Sequence, residues 1–94
     1  MRPGSVLVNT ARGPIVELGA VLDALRTGHL SGAGLDVFDP EPLDPSRIAG
    51  VPGLIVTPHT GFYSEESIAE SQRKATTQVI KALTGEPVDY PIRP

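Results

Sequence analysis

Short unbroken apolar runs alternate along this chain with stretches whose apolar residues recur every three or four positions. Val6-Leu7-Val8 is the first run, the pattern of a strand covered on both faces. Arg2-Pro3-Gly4 ahead of it is a turn, since Pro fixes φ and Gly permits positive φ. From Glu17 to about Gly28 the pattern changes: Leu18, Val21, Leu22 and Leu25 fall at i, i+3, i+4 and i+7, one stripe of an amphipathic helix that Gly28 is placed to stop. Gly19 weakens its first turn by about 1 kcal/mol relative to Ala. Ala33 to Phe38 is the next expected strand. An irregular stretch from Asp39 to Gly53 follows, punctuated by Pro40, Pro42, Pro45 and Pro52. Leu54-Ile55-Val56 is a third apolar run, stopped by Pro58. Ser64 can then cap a long helix whose positive end is suited by Glu65 and Glu66. Ile68, Ala75, Val79 and Leu83 share one face of that helix, Lys81 lies in its last turn, and Gly85 ends it. The proline-rich tail from Glu86 to Pro94 is expected to be irregular.

Strand, helix, strand, loop, strand, helix predicts an α/β fold with three parallel strands and flanking helices. Three such strands make a poor independent unit, because an uncovered apolar edge invites pairing or aggregation. The pattern is half of a sheet. Ligands of open parallel sheets bind at the carboxyl ends of the strands, which directs attention to Asn9–Arg12, Asp36–Glu41 and Thr57–Gly61.

Composition narrows the possibilities by exclusion. At 94 residues the chain is one small domain at most, with roughly 60–70% of its unfolded surface buried on folding. A net charge of −3 gives no electrostatic case for nucleic acid or an acidic membrane surface. With no Cys, thiolate nucleophiles, disulfides and zinc–thiolate sites are excluded. No apolar run approaches the roughly 20 residues that span a bilayer, and the N-terminus has no apolar signal segment, so a cytoplasmic protein is expected. The two histidines lack His-Glu-x-x-His spacing, and no metal site is expected. Ser64, His59 and Asp36 could be assembled into a hydrolase triad on paper, but there is no G-x-S-x-G elbow.

Three compact signatures carry the chemistry: Val8-Asn9-Thr10-Ala11-Arg12-Gly13, then Gly34-Leu35-Asp36-Val37-Phe38-Asp39-Pro40-Glu41-Pro42, then Thr57-Pro58-His59-Thr60-Gly61. Each sets one ionisable side chain, Arg12, Glu41 or His59, just beyond an apolar run. Taken singly these are an ordinary solvated arginine, a loop acid between prolines, and a histidine that caps a helix or lies in solvent. In this order, on successive strand ends, they can form one acid–base site. Histidine titrates near working pH; a neighbouring carboxylate would orient its ring and favour the protonated form; an arginine offers a planar fork to a substrate carboxylate. His29, beside a helix-ending Gly, carries no such pattern.

Order and spacing resemble the C-terminal half of the Rossmann-like NAD-binding domain of the D-isomer-specific 2-hydroxyacid dehydrogenases, over nearly the whole chain. That resemblance implies a partial nucleotide-binding domain over residues 1–84 and a tail over 85–94 that is a remnant of the substrate-binding domain. It implies NAD as cofactor and a small 2-hydroxy or 2-oxo acid as substrate, with Arg12 binding the substrate, His59 as acid/base and Glu41 as its partner. Thr10, Ala11, Arg12, Asp36, His59 and Gly61 would contact the cofactor. Asp36 on its own could instead cap a turn, but beside the other signatures cofactor contact is the favoured reading.

The G-x-G-x-x-G turn that holds a pyrophosphate is absent from these 94 residues, as is the acidic residue that would bind the ribose. Gly32-Ala33-Gly34 leads into a strand, not a helix, and is no substitute. Met1-Arg2-Pro3-Gly4 resembles an internal segment of longer relatives. Glu17 stands where the family usually opens its helix with Asp, and Gly53 where it often has Asn. His59-Thr60-Gly61-Phe62-Tyr63-Ser64-Glu65 is most similar to the branch that includes the C-terminal-binding proteins. A corepressor-like NAD(H)-binding module and an inactive gene remnant are therefore the alternatives to an enzyme. Dimerisation is usual in the family, while the choice of NAD or NADP is made outside these residues.

Overall fold

In a computed structural model of the protein, residues 1–93 are described; Pro94, the end of the expected tail, lies outside the described residues. They form two compact units, residues 1–61 and the described residues from 62 onward.

The first unit is a three-stranded parallel sheet in the order β1 (Ser5–Asn9), β2 (Leu30–Leu35), β3 (Leu54–Val56), with α1 (Leu18–Arg26) between the first two strands. Val21, Leu22 and Leu25 of α1 are buried, as the stripe predicts, and Val21 and Leu25 join a core with Leu30, Ala33 and Leu35. Burying each such side chain is worth roughly 1.5–3 kcal/mol. Glu17 caps the helix by reaching round to accept from the Gly19 and Ala20 N–H groups. A Cβ on residue 19 would lie 3.0 Å from a Glu17 carboxylate oxygen, so the glycine that weakens the turn also gives its cap room. Gly28, at φ 76°, turns the chain out of the helix.

β2 differs from expectation: it runs Leu30–Leu35 rather than from Ala33 to Phe38. Its start was obscured by Ser31 and Gly32, which are not apolar. The ladder nevertheless begins at Ser5 opposite Leu30, and the Ser31 hydroxyl donates to the Gly4 carbonyl at 2.7 Å. Its end comes early because β1 stops at Asn9, whose carbonyl takes a last bond from the Asp36 N–H at 3.0 Å. Asp36, Val37 and Phe38 therefore lie beyond the strand, on the rim. The stretch from Asp39 to Gly53 is irregular apart from one 3-10 turn over Pro45–Arg47, itself capped by Asp44.

Only one face of the sheet is covered. Val6, Val8 and Ile55 stand 61%, 68% and 71% exposed.

The second unit is α2 (Glu65–Thr84) with the chain on either side of it. The Ser64 hydroxyl caps it by accepting from the Ser67 N–H at 3.0 Å, and Gly85 ends it at φ 76°. Its apolar face is uncovered: Ala75, Val79 and Leu83 are exposed and Ile68 is half-buried. The irregular segment after it folds back through Asp89, which accepts from Gln78 at 2.8 Å and from Lys81 at 2.5 Å. Among the described residues no helix is long and apolar enough to cross a membrane.

Candidate active site

All three signatures meet at the carboxyl ends of the strands. At the end of β1, Asn9 is buried and its side chain folds the following loop. Its Oδ1 accepts from the Ala11 N–H at 3.1 Å and its Nδ2 donates to the Arg12 carbonyl at 2.9 Å. That loop then passes tightly against the next one. A Cβ on Gly13 would sit 2.1 Å from the Phe38 carbonyl carbon, which no side chain can do. Arg12 is exposed, and its guanidinium donates to the Ala11 carbonyl at 2.6 Å. Among the described residues no carboxylate pairs with it.

At the end of β2, Asp36 is buried, and with Asn9 it makes up the buried polar side chains among the described residues. Its carboxylate serves the loop after β3: Oδ1 accepts from the Thr57 hydroxyl and from the Thr60 N–H at 2.9 Å, and Oδ2 from the Gly61 N–H at 2.9 Å. The Asp36 carbonyl accepts the His59 N–H at 2.9 Å. These donors, Thr57 first and Thr60 next, hold the Asp36 carboxyl below its usual range. His59, at the centre of the loop, has φ 54°, the left-handed conformation that non-glycine residues seldom adopt.

That backbone brings the imidazole to Glu41. His59 Nδ1 lies 2.8 Å from Glu41 Oε2, while Glu41 Oε1 accepts the Phe38 N–H at 2.9 Å. The Phe38 N–H first, and His59 second, keep the Glu41 carboxyl below the ordinary value for glutamate. With Nδ1 engaged, Nε2 is the ring nitrogen left for a reacting group. The pair is part-exposed, at 44% for the His59 and 36% for the Glu41 side chain. It borders a cleft of about 520 Å³ walled by Phe38, Leu43, Ile48 and Val56.

Asp36, Glu41, His59 and Gly61 are thus in one cluster, and Thr10 touches it: a Cβ on Gly61 would lie 3.8 Å from the Thr10 Cβ. Ala11 and Arg12 occupy the adjoining loop, with the Arg12 side chain turned to its own backbone. His29 is elsewhere, with Nε2 3.0 Å from the Met1 carbonyl. Asn9 and Thr57 stand inside the signatures but carry no expected role there; their signal is a polar residue at the end of an apolar run. Among the described residues no three His, Cys, Asp or Glu side chains group so as to hold a metal ion.

Comparison with known proteins gives this arrangement a context. Residues 1–61, the whole first unit, match the family described as D-isomer specific 2-hydroxyacid dehydrogenase, NAD binding domain. An (S)-sulfolactate dehydrogenase of Chromohalobacter salexigens is 54% identical over 68 residues, which is 71% of this chain and 22% of that protein. A D-3-phosphoglycerate dehydrogenase of Mycobacterium leprae is 44% identical over 89 residues, 90% of this chain and 16% of the relative. Among solved structures, the TT0316 protein from Thermus thermophilus superposes with a TM-score of 0.90 at 39% identity. The match covers 99% of this chain and 30% of that one.

Proposed function

This chain belongs to the D-isomer-specific 2-hydroxyacid dehydrogenase family, through its NAD-binding domain, and on that footing we propose that it carries the acid–base rim of an NAD-dependent oxidoreductase acting on the CH–OH group of D-2-hydroxy acids. The observation that carries the proposal is the His59–Glu41 pair at 2.8 Å, set on strand ends beside the Arg12 loop. The chain spans 16% and 22% of the length of the curated relatives it matches. The activity proposed is accordingly that of a protein to which this segment contributes its catalytic edge.

In this reading Arg12 swings from the Ala11 carbonyl to grip the substrate carboxylate as a bidentate fork. His59 takes the substrate hydroxyl proton through Nε2 in oxidation and returns it in reduction, while Glu41 fixes the ring through Nδ1. A nicotinamide cofactor bound beside these residues would supply the hydride acceptor for oxidation of the hydroxy acid as NAD+ and the hydride donor for reduction of the oxo acid as NADH. For the nicotinamide end of that cofactor the rim offers Gly61, which has no side chain, with Asp36 and Thr10 beside it, and the Ala11–Arg12 loop adjoining. No residue of the chain supplies a pyrophosphate-binding G-x-G-x-x-G turn, so cofactor affinity must come largely from elsewhere. The names carried by the relatives support an enzyme; the corepressor-like and remnant readings gain nothing from them.

A transplant tests the proposal. Residues 1–61 replace the matching segment of the Chromohalobacter (S)-sulfolactate dehydrogenase, and NAD-dependent turnover is measured. Turnover should persist, and Arg12→Ala should raise KM for the hydroxy acid about 10- to 100-fold, the effect of losing hydrogen bonds to a charged group. A transplant that folds and binds NADH but turns nothing over would overturn the proposal.

A further inference from the structure

We infer that Asp36 is the positioning residue of the site, holding the 57–61 loop so that His59 is kept in its left-handed backbone conformation with its ring against Glu41. The inference rests on the reading of His59 as acid/base. It adds a residue that works through another and never through the substrate.

A histidine at φ 54° is disfavoured by contact between its Cβ and the backbone, so the surrounding bonds must outweigh an extended alternative. Those bonds converge on a single residue. Donors on both sides of His59, the Thr57 hydroxyl before it and the Thr60 and Gly61 N–H groups after it, all end on the Asp36 carboxylate. The histidine's own N–H ends on the Asp36 carbonyl. Asp36 therefore clasps the loop from its first residue to its last.

Two further observations fit a clasp. Asp36 is only 4% exposed, so its bonds are shielded from competing water. Three of the roughly four acceptor positions of a carboxylate are taken by protein donors, so most of its hydrogen-bonding capacity is committed to the loop. Gly61 is part of the device: a Cβ there would lie 3.1 Å from Asp36 Oδ2 and press on the contact that its N–H makes. Asn cannot replace Asp36, although its shape is the same. Its NH2 group would face either the Gly61 N–H or the Thr57 and Thr60 donors, a donor set against donors.

Nuclear magnetic resonance of the transplanted dehydrogenase, isotopically labelled at histidine and at backbone nitrogen, tests this without any appeal to turnover. In the wild type, His59 should show the strong intraresidue HN–Hα contact of a left-handed residue, and its Nδ1 resonance should report the bond to Glu41. In Asp36→Asn both signatures should vanish while the amides of β1 and β2 remain protected from exchange. An Asp36→Asn chain that keeps both signatures overturns the inference. Should Asp36→Asn lose the β1–β2 amides as well, the decision passes to Thr57. Thr57→Val must then shift the His59 resonances where Thr57→Ser does not, and identical wild-type-like spectra for the two overturn it. A transplant enzyme that is inactive while His59 shows these signatures would instead sink the catalytic reading and leave the clasp standing.

Discussion

His59 and Glu41 are each held from two directions, and that double hold fixes the ring against the carboxylate. Glu41 receives a backbone N–H on one oxygen and the imidazole on the other; His59 is bound through its N–H and its ring. The acid behaviour of the rim follows. Glu41 titrates below its ordinary 4.5 and Asp36 below its ordinary 3.8. A carboxylate with a depressed native pKa stabilises the fold fully above its unfolded value, and that contribution disappears as pH falls through the native value. The His59–Glu41 contact should accordingly be intact at about pH 5 and be lost only below 4.5. Following both side chains by nuclear magnetic resonance between about pH 6 and 2 checks this; a Glu41 that titrates above 4.5 would contradict it. These residues were legible in the sequence because each stands just past an apolar run. The left-handed backbone of His59 was not, since histidine's modest enrichment in that region does not single out one position.

Among the elements, those with strong local signals emerge where the pattern puts them. α1 has its stripe and its closing Gly28; α2 has Ser64, two glutamates and Gly85. Ser64→Ala should cost about 1 kcal/mol of α2 stability, readable by circular dichroism. β2 was displaced because a strand's limits are set by its neighbour's hydrogen bonds, which Ser31 and Gly32 do not betray and which end with Asn9. The consequence is functional, since the early end of β2 releases Asp36 to clasp the next loop. Close approach between elements was equally hidden. Gly13 is one glycine among ten in the sequence, yet it alone lets the Arg12 loop lie on Phe38. Gly13→Ala forces that loop off and should lower stability by roughly 1–3 kcal/mol, measured as a lower urea midpoint. A midpoint unchanged from wild type would mean the loops do not touch as described.

At the scale of the whole molecule, the sheet has one covered face and one bare one. Val6, Val8 and Ile55 present a branched apolar strip to solvent, beside which Gly32 and Gly34 offer no side chain. Such a strip drives association. The isolated 94-residue chain should self-associate in light scattering, and Val6→Thr with Val8→Thr and Ile55→Thr should reduce it; a strictly monomeric wild type would contradict this. The same chain should show negligible NADH-dependent reduction of glyoxylate, because its 94 residues contain no pyrophosphate-binding turn. The central claim, that His59 moves the proton, is tested most directly by His59→Ala in the transplanted dehydrogenase, assayed in both directions. Oxidation and reduction should fall together, by about 10²- to 10⁴-fold, with NADH binding unchanged. If either direction keeps its wild-type rate, the proton travels by another route and the account fails.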